Sequence, residues 1–71
     1  MTKQELIKIA VDHHISLEDI HFKNSVEDGF YVLKNGQRWE VFFRERGKDR
    51  ECVGFPSESD ALAYLASKLV T

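Results

Sequence analysis

A chain of 71 residues forms a single domain, residues 1–71, near the lower limit for a self-sufficient hydrophobic core. With 42% hydrophobic and 31% charged residues it is globular rather than disordered, and too short to hold both a deep substrate pocket and its supporting core, which argues against an enzyme. The formal net charge of −2 lacks the basic excess of nucleic-acid modules, and Cys52, the one cysteine, excludes an internal disulfide and points to a reducing compartment.

The stretch MTKQELIKIAVDHH has no apolar signal core, and no apolar run reaches transmembrane length. The expected location is therefore cytoplasmic, without a membrane partner. Thr2-Lys3-Gln4-Glu5 is a capping box, in which the Thr2 hydroxyl and the Glu5 carboxylate each satisfy the other's backbone N–H. Leu6, Ile7, Ala10, Val11 and His14 follow at helical spacing, predicting an amphipathic helix over about residues 3–13. Residues 15–28 show no sustained period and read as a connection, with a short strand or turn near Ile20 to Phe22.

Gly29 to Lys34 is the next predicted strand, and Asn35-Gly36 is a strong hairpin signal because both residues tolerate positive φ. A two-residue Asn35-Gly36 loop pairs Lys34 with Gln37, Leu33 with Arg38 and Val32 with Trp39. Phe30, Val32, Trp39, Val41 and Phe43 then share the core face. A three-residue loop would instead turn Tyr31 and Leu33 inward; the two-residue turn is the expected one. Arg46-Gly47-Lys48-Asp49 makes a second turn, and Arg50 to Phe55 a further strand with Val53 and Phe55 inward. Pro56 stops the sheet. Ser57 caps a last helix whose acidic start suits the helix dipole and whose buried stripe is Ala61, Leu62, Leu65 and Leu69.

The expected fold is α+β, in the order α-β-β-β-α, with a three-stranded antiparallel sheet and both helices packed on one face. The other face would lie open, carrying Tyr31, Leu33, Arg38, Glu40, Phe42, Arg44, Arg50 and Cys52. A phenylalanine between charged neighbours on the outer side of a strand is unusual. Tyr31, Arg38, Glu40, Phe42 and Arg44 are accordingly the candidate partner-binding residues, since aromatic and arginine side chains dominate protein hot spots. For Phe42 the competing readings are an isolated surface aromatic, or one covered by residues 15–28 or by a second copy of the chain.

No catalytic, cofactor or metal site is expected. His13 and His14 are adjacent on a helix and point roughly 100° apart, so they do not converge on one ion. Nothing in the sequence sets Cys52 beside a histidine. The carboxylates have ordinary turn and cap roles, and there is no phosphate-binding glycine loop. The stretch RERGKDR, residues 44–50, reads as a solvated hairpin tip or as a phosphate-contacting hairpin. The second possibility supports an alternative function, a nucleic-acid-binding module using the open sheet and the Arg44–Arg50 hairpin.

The element order resembles that of double-stranded-RNA-binding domains, and the last strands and helix resemble plant ethylene-response-factor DNA-binding domains. Yet Ser57-Glu58-Ser59-Asp60 stands where the RNA binders place lysines, and Glu40 interrupts the arginine row of the DNA binders. A third likeness covers nearly the whole chain. Gly36, Trp39, Val41, Glu45, Arg46 and Gly47, followed by Phe55, Ser57, Glu58, Ala61 and Tyr64, match the pattern of short immunity proteins from bacterial polymorphic-toxin systems, which this chain resembles. Leu62 departs from it, standing where that family often carries cysteine. The resemblance implies a non-enzymatic cytoplasmic protein, monomer or homodimer, that binds a cognate toxin and neutralises it.

Overall fold

A computed structural model describes residues 1–70 of the chain. The described residues form helix α1 (Lys3–Asp12), a 3-10 turn (Leu17–Asp19), strands β1 (Ile20–His21), β2 (Gly29–Asn35), β3 (Arg38–Glu45) and β4 (Lys48–Phe55), and helix α2 (Glu58–Leu69). The fold is α+β, but the sheet has four strands in the order β1-β2-β3-β4 and is mixed, because β1 runs parallel to β2. The expected three antiparallel strands are all present. The fourth comes from the connection, at the place where a short strand or turn was expected.

The capping box forms as read: Glu5 N–H donates to Thr2 Oγ1 at 3.2 Å and Thr2 N–H to Glu5 Oε1 at 3.0 Å. The far end of α1 differs. Val11 is 54% exposed and His14 is exposed, so neither belongs to the buried stripe, which is Leu6 and Ala10 with Ile9 beside them. His14 adopts φ 58, its N–H donates to Val11 O, and Ile15 N–H donates to Ala10 O at 2.8 Å. This is a Schellman ending with histidine in the left-handed position usually given to glycine. It turns the chain so that Ile15 packs on the core.

The β2–β3 hairpin closes at Asn35 and Arg38, with Gly36 (φ 65) and Gln37 as the two loop residues. The turn thus sits one residue later than expected, because Gly36 supplies positive φ at the first central position, as in a type II′ turn. Val32 pairs with Val41 rather than with Trp39. Moving the turn by one residue shifts the pairing by two, so every side chain keeps its expected face. Val32 and Val41 are buried, while Phe30, Trp39 and Phe55 pack around them half-buried.

Against this face lie Leu6 and Ala10 of α1 and Ala61, Leu62, Leu65 and Ala66 of α2, all buried. Ser57 Oγ caps α2 by accepting from Asp60 N–H. Leu69 packs only at the margin of the stripe in which it was expected.

Strand β4 carries a bulge. Val41 pairs with Val53 and Phe43 with Arg50, so Glu51 and Cys52 together oppose Phe42, and Glu51 takes φ 54. The extra residue reverses the alternation. Arg50, expected on the open face, lies on the face of Phe43, with Nη2 at 3.8 Å from Glu45 Oε1. Asp49 takes its place opposite Arg44.

Candidate partner-binding face

The sheet face away from the helices is not uniformly open. β1 reaches β2 only because position 29 is glycine: at φ 139, a Cβ there would stand 2.6 Å from Asp19 O. After β1 the chain folds over the outer face as residues 22–28, and Tyr31 and Phe42 lie beneath it, 0% and 6% exposed. Both were expected in solvent. Of the readings open for Phe42, cover by the 15–28 segment is the one observed.

The cover is held by a stack and a clamp. His21, Tyr31 and Phe42 stand in a row across β1, β2 and β3, with ring centroids 4.6 and 5.1 Å apart. The Tyr31 hydroxyl donates to Glu27 O at 2.6 Å and takes a bond from Ser25 Oγ at 2.7 Å, whose oxygen in turn accepts from Glu27 N–H. His21 Nε2 donates to Asp28 O at 3.1 Å, and Asp28 Oδ1 accepts from Arg46 N–H at the tip of the β3–β4 hairpin.

Arg44 closes the arrangement. Its guanidinium lies 4.6 Å from the Tyr31 ring and 5.2 Å from Phe42, donates to Asn24 Oδ1 at 2.8 Å and to Ser25 O, and forks onto Asp49 at 2.7 and 3.3 Å. Asp49 is held below the usual carboxylate range by this hydrogen bond and charge. The same bond raises Arg44 further. Arg44, expected to be free for a partner, is instead engaged by a carboxylate of its own chain.

Arg38 and Glu40 remain at the surface. Arg38 is exposed, with its guanidinium lying over Gly54, while Glu40 is half-buried and accepts from Asn35 Nδ2 at 3.3 Å. Between this end of the sheet and the 22–24 segment runs an open groove of about 610 Å³. Phe22, Leu33 and Phe42 give it apolar lining; Lys23, Lys34, Glu40 and Asp49 give charges of both signs. Of the five candidate residues, then, Tyr31, Phe42 and Arg44 belong to the clamp, and Arg38 and Glu40 to the free surface.

Cys52 is exposed on β4. Desolvation first, then the negative charges of Glu40 and Asp49, push its thiol above the ordinary value, which keeps it protonated and weakly nucleophilic at neutral pH. No group of three or more His, Cys, Asp or Glu placed to hold a metal ion occurs among the described residues, and no helix among them is long and apolar enough to cross a membrane.

Sequence reasoning missed Asn24, Ser25, Glu27 and Asp49 as functional neighbours of the outer face. The signal lay in the register: the observed turn pairs Tyr31 directly with Phe42 on the polar side, where two facing aromatics demand cover, whereas the expected turn set Tyr31 opposite Glu40. No protein-family model matches the chain, and neither a curated protein nor a solved structure does.

Proposed function

We propose that the protein is a small non-enzymatic binding module with a protein partner, and that it acts as an immunity protein neutralising a bacterial toxin. The observation that supports this reading is the groove beside the clamped loop. It combines an apolar floor with charges of both signs, the composition of a protein interface with a polar rim rather than of a phosphate-binding surface. The nucleic-acid alternative is further weakened at the 44–50 hairpin, where Arg44 is engaged by Asp49, Asn24 and Ser25 and Arg50 faces Glu45.

The test is protection. A toxin domain encoded beside this chain's gene is expected; cells expressing it should grow when the chain is co-expressed, and should lose that protection with Leu33→Asp, a change at the half-buried groove floor. A wild-type chain that gives no protection, yet shifts DNA or RNA near physiological salt, would reverse the order of the two readings.

A further inference from the structure

The sheet has two edges, and they are unlike. β4 is the longer one, and it is guarded: Lys48, Asp49, Arg50 and Glu51 follow one another, and the bulge at Glu51 bends the strand away from a straight template. The other edge is shared. β1 pairs only with Phe30 and Tyr31, after which the chain leaves at Phe22 to cover the outer face. Beyond Tyr31, β2 has no strand on its β1 side among the described residues.

The direction of the backbone there follows from the hairpin. The closing pair of a two-residue loop, Asn35 and Arg38, exchanges both hydrogen bonds, so Asn35 and Leu33 turn their N–H and C=O towards β3. Lys34 and Val32 alternate with them and turn theirs outward. Val32 C=O and both polar groups of the Lys34 backbone therefore form an open ladder in line with β1, at the rim of the groove. Lys23 and Lys34 flank it; neither has a carboxylate within ion-pair distance among the described residues. Arg44 and Asp49, also in the groove, neutralise each other, and Glu40, the groove's other carboxylate, is taken up by the Asn35 side-chain amide.

We propose that this edge is where the partner engages, and that it does so by adding a strand: an extended segment with acidic flanks continues the line of β1 along Val32–Asn35. Backbone bonds to Val32 and Lys34 hold the segment, alternate side chains enter the groove over Leu33, and its carboxylates meet Lys23 and Lys34. This deepens the protein-partner reading and rests on it.

The test uses the full chain and a short synthetic peptide of alternating Val and Thr with Glu at both ends, titrated to millimolar concentration and followed by amide shifts and amide exchange. Shifts are expected at Phe22–Asn24 and Val32–Asn35, with slowed exchange at the Lys34 amide. A Lys-flanked peptide and a backbone N-methylated peptide should each bind about tenfold or more weakly, the scale of a lost backbone bond or charge pair at an interface.

Lys34→Pro removes the outward N–H while leaving the β2–β3 ladder intact, and should weaken binding beyond Lys34→Thr, which removes only the charge. If Lys34→Pro does not fold, the N-methylated peptide asks the same question without touching the protein. Shifts along β4 or on the helices, equal binding of the N-methylated peptide, concentration-dependent pairing of two chains through this edge, or no shifts at all would overturn the proposal. Protection from the toxin that survives Lys34→Pro would overturn strand addition alone; a wild-type chain that does not protect would overturn the partner reading itself.

Discussion

Phe42 shows how much a single side chain's surroundings change what it is for. On an open sheet its truncation would spare the fold and weaken binding. At 6% exposure between Tyr31 and the Arg44 guanidinium it is a packing residue. Phe42→Ala should cost about 3–5 kcal/mol, comparable to the whole stability of a domain this size, and a urea or thermal melt should show the protein largely unfolded. Tyr31→Phe is milder. It removes the hydroxyl that joins Ser25 and Glu27, and should cost about 1–2 kcal/mol while speeding amide exchange in residues 22–28.

Asp49 supplies the third residue-scale test. Arg44 lowers its folded-state pKa, so the stability it adds is complete above the ordinary carboxylate value of about 4 and is lost as pH falls through the lowered one. Melting temperature followed against pH should show wild type above Asp49→Asn at neutral pH and the gap closing in acid. A gap independent of pH would mean that Asp49 contributes nothing through its charge.

At the scale of elements, the sequence was readable wherever a period or a cap was long enough to leave a mark. Both helices, their N-caps, β2 and β3 lie where the patterns put them, and the inward face of the hairpin survived a misplaced turn because the error shifted pairing by an even number. β4 instead starts at Lys48, inside the expected Arg46–Asp49 turn, because Arg46 and Gly47 at positive φ close that hairpin by themselves. What escaped was short or irregular. A two-residue strand has no period, and a bulge made by Glu51 in a left-handed conformation has no glycine to announce it. His14 is similar, ending α1 where glycine is usual. His14→Gly should raise stability by roughly 0.5–1 kcal/mol, because the relief of the left-handed backbone exceeds the entropy glycine brings to the unfolded chain. A urea midpoint that falls instead would show that the His14 side chain does something at the surface that its backbone does not reveal.

For the molecule as a whole, the sheet works on both sides. Helices seal one face with aliphatic side chains, and β1 with the 22–28 stretch closes half of the other through an aromatic row and one arginine. The candidate site was legible only in part for this reason: composition identified the unusual residues, but whether they meet a partner or their own chain depends on where an aperiodic loop falls. Trp39, the one tryptophan, stands half-buried on the helix-packed face at the hairpin end, while the 22–28 loop and its clamp lie on the other face. The protein therefore carries a built-in optical reporter that sees only one of its two sides. Tryptophan emission should redden when the helices leave the sheet, yet stay nearly constant when the 22–28 loop loosens, so that fluorescence would be blind to the opening of the outer face.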